Sequence, residues 1–210
     1  MMVKEILDEI GKARVVSIVR GIAHEDLKHV ADALYEGGIR AIEVTLDTPA
    51  ALKMIEELKS EYSTKMIIGA GTVLDAETAR SAILSGADFV LSPTLSTGVI
   101  EMCHRYSKVA VPGALTPTEI LTAWEAGAQI VKVFPARVFG PAYIKDIKGP
   151  LAQIELMPVG GVSLDNAAEF IKCGAFALGV GSELVSRTKV AAKDFDSIRD
   201  TAAAFIKTAQ

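Results

Sequence analysis

Two ionisable residues stand inside segments that otherwise read as apolar strands. Lys132 lies in Gln129-Ile130-Val131-Lys132-Val133-Phe134-Pro135. Strand side chains alternate between two faces, so if Val131 and Val133 face a layer of helices, Lys132 turns the other way with Ile130 and Phe134. A charged lysine there is rarely a packing choice, because burial disfavours the ammonium. The same desolvation lowers a lysine pKa from about 10.4 to about 7–8, making the neutral amine available as a nucleophile for Schiff-base chemistry. The plainer alternative is a lysine at the strand mouth extending into solvent. Glu43 repeats the pattern in Ala41-Ile42-Glu43-Val44-Thr45-Leu46. Ile42 and Val44 take the outer layer, and the inward carboxylate needs a partner. Lys132 is the candidate: together they supply an amine nucleophile and a proton shuttle, or else a structural ion pair.

Other residues suit the two ends of an anionic substrate. Arg20 in Ile18-Val19-Arg20-Gly21 is placed at a strand end, where a guanidinium can hold a carboxylate, although a surface arginine would read the same. Gly69-Ala70-Gly71-Thr72 ends a third apolar segment and is read as a tight turn with a capping Thr72 or as a ligand loop. It does not continue to a third glycine at dinucleotide-binding spacing. Val159-Gly160-Gly161-Val162-Ser163 and Gly179-Val180-Gly181-Ser182 follow the last two apolar segments. Barrels commonly hold phosphate there on backbone N–H groups, so a phosphorylated substrate is implied; simple turns are the alternative. His24, His29 and His104 have no metal-ligand spacing, and no metal or cofactor is expected. Cys103 and Cys173 are expected to form no disulfide.

The elements that must position these residues recur. Four times a helical stretch ends in glycine and an apolar run follows: around Gly37-Gly38, Gly86, Gly127 and Gly174. Each junction reads as helix, C-cap, strand. The pattern predicts eight strands, near 14–19, 40–46, 65–69, 88–92, 108–112, 129–134, 154–159 and 175–180. Amphipathic stretches lie between them, among them 26–35, 50–58, 76–84, 117–124 and 166–171. Strands alternating with helices predict an α/β chain with a parallel sheet, and eight units predict a (β/α)8 TIM barrel formed by one domain over 1–210. An open doubly wound sheet is the alternative. Ile6, Leu7 and Ile10 share one face of Val3 to Ala13, an expected helix closing the barrel bottom, and Phe195 to Ile206 is the expected last outer helix.

Composition agrees with one folded chain that buries a substantial core. Half of the 210 residues are hydrophobic and 23% are charged, which excludes disorder, coiled coil and collagen. A net charge of −4 without a basic cluster argues against nucleic acid, and the short apolar runs argue against a membrane span. The acidic residues following Met1-Met2-Val3 argue against a leader peptide, so a cytoplasmic location is expected.

Together these residues resemble the KHG/KDPG aldolases, class I enzymes acting on 2-keto-3-deoxy-6-phosphogluconate and its galactonate epimer. The resemblance rests on Ile42 to Leu46, Ile68 to Leu74, Pro112-Gly113, Val131 to Ala136 and Val159 to Ser163. It implies that Lys132 forms an imine with pyruvate, that Glu43 is the acid/base, and that Thr72 with an arginine holds the pyruvate carboxylate. It further implies that Gly160, Gly161, Gly181 and Ser182 hold the phosphate, and that the chain forms a homotrimer. Two positions depart from gluconate-type members. Asp47 stands where many have arginine, leaving Arg20 for the carboxylate, and Val159 stands where they tend to have threonine. Val159 is therefore the expected specificity position. A phosphosugar isomerase or epimerase using Glu43 as base, without a covalent bond to Lys132, remains the alternative enzyme reading. A non-catalytic phosphosugar sensor is the third.

Overall fold

The computed structural model describes residues 2–210; Met1, part of the N-terminal reading, lies outside the described residues. The strands are β1 (Val15–Val19), β2 (Ala41–Thr45), β3 (Ile67–Gly71), β4 (Phe89–Leu91), β5 (Val109–Val111), β6 (Gly113–Ala114), β7 (Val131–Val133), β8 (Leu156–Pro158) and β9 (Leu178–Val180). The helices are α1 (Val3–Ala13), α2 (Leu27–Glu36), α3 (Ala51–Tyr62), α4 (Ala76–Leu84), α5 (Thr97–Arg105), α6 (Pro117–Glu125), α7 (Gly140–Lys148), α8 (Leu164–Lys172), α9 (Arg187–Ala191) and α10 (Phe195–Ala209). All strand pairings are parallel. One sheet runs β5-β4-β3-β2-β1-β9 and the other β6-β7-β8. Pro112 separates β5 from β6; it has no N–H to donate, though its carbonyl still accepts from Lys132 N at 2.9 Å. A parallel bridge between Val159 and Gly179 links β8 to β9.

The chain thus has an α/β fold with a curled parallel sheet, and two apolar layers lie on its faces. The outer layer joins strands to helices and includes Ile42, Val44, Val131 and Val133. The inner layer takes the alternate strand positions, among them Ile18, Ala41, Phe89, Ile130 and Met157, and receives Ile6 and Ile10 from α1. Burying each large apolar side chain in such a layer contributes about 1.5–3 kcal/mol. The alternation inferred for Lys132 and Glu43 is therefore the observed one.

Local signals set the element ends. At the helix-to-strand junctions Gly38, Gly86, Gly127 and Gly174 have φ of 94°, 105°, 96° and 100°, the left-handed region that favours glycine. Thr116 caps α6 in a reciprocal capping box with Glu119, and the Asp75 side chain accepts from Thr78 N to start α4. Expected strands are corrected: among the described residues there are nine rather than eight, because β6 follows β5 across Pro112, and β7, β8 and β9 are shorter than the expected 129–134, 154–159 and 175–180. β3 runs two residues beyond the predicted 65–69, so Gly69 and Gly71 are strand residues rather than a turn. They are glycines for space: a Cβ on Gly69 would come within 2.3 Å of the Phe89 ring, and one on Gly71 within 1.5 Å of Glu43 Oε1. No helix among the described residues is long and apolar enough to cross a membrane.

Candidate active site

The C-terminal ends of the strands enclose a cavity of about 440 Å³. Lys132 enters it from β7 and Glu43 from β2, 4% and 1% exposed respectively. Burial pushes the Lys132 amine below its ordinary value, and Arg20 adds to that shift, while attraction to Glu43 opposes it. Burial raises the Glu43 carboxyl; the positive charges of Lys132 and Arg20 oppose the rise, and Asp47 reinforces it. Each environment shifts its group towards the neutral form. The Lys132 Nζ lies 4.9 Å from the Phe134 ring centroid, within cation–π range.

Glu43 has the cavity's most exacting surroundings. Its Oε1 lies where a Gly71 Cβ would stand, so the carboxylate is seated directly on the β3 backbone. Its Oε2 is buried without a hydrogen-bond partner. The sequence suggested Lys132 as that partner; the two attract each other across the cavity, but the orphaned oxygen remains.

Arg20 leaves the end of β1 and is held from two sides. Its Nη1 donates to Asp47 Oδ2 and its Nη2 to Thr72 Oγ1, both at 2.9 Å. Arg20 lines the cavity, and Thr72 reaches it through this hydrogen bond. Thr72 adopts φ 58°, an unusual conformation for a β-branched residue. Gly160, Gly161, Gly181 and Ser182 line the other side of the cavity, and Val159 forms part of its wall. Gly160 and Gly161 have φ of 84° and 94°, a turn that L side chains adopt only with strain. Val159 is 4% exposed and packs its methyls over Gly179, leaving no hydroxyl at that point of the wall. All nine residues singled out from the sequence thus belong to one assembly, eight lining the cavity and Thr72 bonded to Arg20.

The family model for KDPG and KHG aldolase matches residues 6–201. The chain belongs to this aldolase family. It is 36% identical over 198 residues to the 2-dehydro-3-deoxy-6-phosphogalactonate aldolase of Escherichia coli K12, covering 93% of this chain and 94% of that one. It is 34% identical to the 2-dehydro-3-deoxy-phosphogluconate aldolase of Treponema pallidum, covering 92% of each. Among solved structures, the KDPG aldolase of Legionella pneumophila, with pyruvate captured as a covalent carbinolamine, superposes with a TM-score of 0.88. That protein is 27% identical, over 95% of this chain and 97% of the other.

The aldolase cavity also contains residues that the sequence reading missed. Arg137 lines it beside the Gly160-Gly161 turn, its amide donating to Gly160 O at 2.8 Å, and Glu183 lines it next to Ser182. Both are exposed, Arg137 in a short 3-10 helix and Glu183 in a turn, outside the strands whose alternation singled out Lys132 and Glu43. The histidines lie elsewhere in the aldolase: His24 bonds Glu57, His29 stacks on Phe195 and His104 bonds Gly127 O.

Proposed function

We propose that the protein cleaves a 2-keto-3-deoxy-6-phospho sugar acid, of gluconate or galactonate configuration, to pyruvate and D-glyceraldehyde 3-phosphate. The observation that carries this reading is Lys132 and Glu43 buried in one cavity, both shifted towards their neutral forms. The neutral Lys132 amine adds to the C2 ketone, and loss of water leaves an iminium. Glu43, as carboxylate, accepts the C4 hydroxyl proton directly or through a water. The C3–C4 bond then breaks: its electron pair enters the iminium as an enamine, and the aldehyde leaves. The enamine takes a proton back from Glu43, and hydrolysis frees pyruvate and restores the amine.

Arg20 with Thr72 holds the pyruvate carboxylate, and Gly160, Gly161, Gly181 and Ser182 hold the phosphate on backbone N–H groups and a hydroxyl. Val159 offers only methyls to the sugar hydroxyls, so it does not reward one epimer over the other. No metal or cofactor enters these steps. The same reading closes the two sheets into one (β/α)8 barrel over residues 1–210, with α1 at its bottom. The single residue between β5 and β6, the Val159–Gly179 bridge and the place of Ile6 and Ile10 in the inner layer support that closure. A cytoplasmic homotrimer completes the proposal.

Borohydride reduction in the presence of pyruvate, followed by peptide mass spectrometry, tests the covalent step. The expected product is a reduced adduct on the peptide containing Lys132, lost together with turnover in Lys132→Arg, since a guanidinium cannot form the imine. Turnover of a phosphosugar with no adduct would replace the aldolase by the non-covalent isomerase or epimerase reading.

A further inference from the structure

The geometry points to Asp47 as the residue that positions Arg20 for the substrate carboxylate. The inference rests on the aldolase reading. By charge alone an acid is misplaced beside an anion site, and its location supplies the reason for its presence. Asp47 stands two residues beyond the end of β2 and contributes nothing to the cavity wall, whereas Arg20 does. Its Oδ2 takes one end of the Arg20 fork, and Thr72 Oγ1 takes the other. The remaining guanidinium N–H groups are left for an incoming carboxylate.

The Asp47 turn is itself tied to the strand that bears Arg20. Thr48 N donates to Thr45 O at 2.9 Å, and the Thr45 and Thr48 hydroxyls lie 3.1 Å apart. Gly21 N, immediately after Arg20, donates to Thr48 Oγ1 at 2.9 Å. The β1–β2–β3 register, with Val19 opposite Val44 and Thr45 opposite Gly71, brings the three strand ends side by side. Arg20 is 46% exposed in its side chain, so without this clamp a long flexible arm would have to be ordered each time substrate binds. The acid at 47 therefore works as part of the carboxylate site, acting through Arg20 rather than touching substrate.

Asp47→Ala and Asp47→Asn are to be compared with wild type by steady-state cleavage of the phospho keto acid and by pyruvate-dependent borohydride trapping. Asp47→Ala is expected to raise KM, and the pyruvate concentration for half-maximal trapping, by about tenfold, with kcat within about threefold. Asp47→Asn, which keeps an acceptor at the same place, is expected to return both to within about threefold of wild type. A merely structural role would lower the melting temperature without this split between KM and kcat. An unchanged KM in Asp47→Ala would overturn the proposal, and so would a lower one, which would make Asp47 a competitor of the substrate. Failure of the aldolase reading is a separate result: no pyruvate adduct on Lys132 in the wild-type protein.

Discussion

Two carboxylates are almost equally buried in this molecule, Glu43 at 1% exposure and Asp88 at 2%, and their surroundings are opposite. Asp88 precedes β4, at the N-terminal ends of the strands. Lys59 Nζ donates to both its oxygens, at 2.7 and 2.6 Å, Ile68 N donates to Oδ2 at 3.3 Å, and Lys108 Nζ stands 3.7 Å away. Glu43, at the C-terminal ends, lines a cavity, and its buried Oε2 has no hydrogen-bond partner within the protein. A buried charge whose bonds are all made holds the fold together. One that lines a cavity is placed to meet a ligand. On the proposed function, the two ends of the strands divide stability from activity.

The contrast can be broken most forcefully at Asp88. Asp88→Ala leaves the Lys59 ammonium beside a partly buried site without its partner, so denaturant unfolding should register a loss of about 3–5 kcal/mol. The KM for the phospho keto acid should stay at the wild-type value in the folded fraction. A KM change with unaltered stability would reverse the assignment of the two carboxylates.

Glu43→Gln should do the opposite. Turnover should fall by about 10²- to 10⁴-fold, while stability at neutral pH should rise by about 1–2 kcal/mol as the buried charge disappears. Because the folded-state pKa of Glu43 is raised, its stability contribution is complete below the unfolded carboxylate pKa and is lost as pH climbs through the folded value. The advantage of Glu43→Gln should therefore shrink towards zero on acidification. Thermal melts from acidic to neutral pH test this, and a gain that instead grew on acidification would exclude a raised pKa.

The smallest effect belongs to Val159, on the cavity side. Wild type should cleave the gluconate and galactonate substrates with kcat/KM values within roughly tenfold of each other, since a neutral hydrogen bond contributes only about 0.5–1.5 kcal/mol. Val159→Thr should move the ratio towards gluconate. Assays of both epimers on both proteins decide it, and a strong wild-type gluconate preference left unchanged by the substitution would remove Val159 from specificity.

Lys132 and Glu43 were legible because strand alternation assigns a face to each residue, and a charge between inward apolar neighbours contradicts its own position. The glycine junctions were legible because a left-handed helix end asks for that residue type. Asp88 was not legible: Lys59 is 29 residues away, and nothing local distinguishes Asp88 from an ordinary polar residue between helix and strand. The end of β3 is not legible in the sequence because glycine is also a turn signal, and only Phe89 and Glu43, from neighbouring strands, show that these glycines make room for side chains.

By itself the sequence determined the alternation of helices and strands, the inward facing of the lysine and the glutamate, and the two glycine turns, because these follow from local backbone preference and from period. Only the tertiary structure decided that Asp47, read as a missing arginine, grips Arg20, and that Glu43 is seated on Gly71 at the cavity. Those are properties of strand ends brought together by register, and a one-dimensional pattern carries no information about which distant side chain completes, or leaves open, a hydrogen bond.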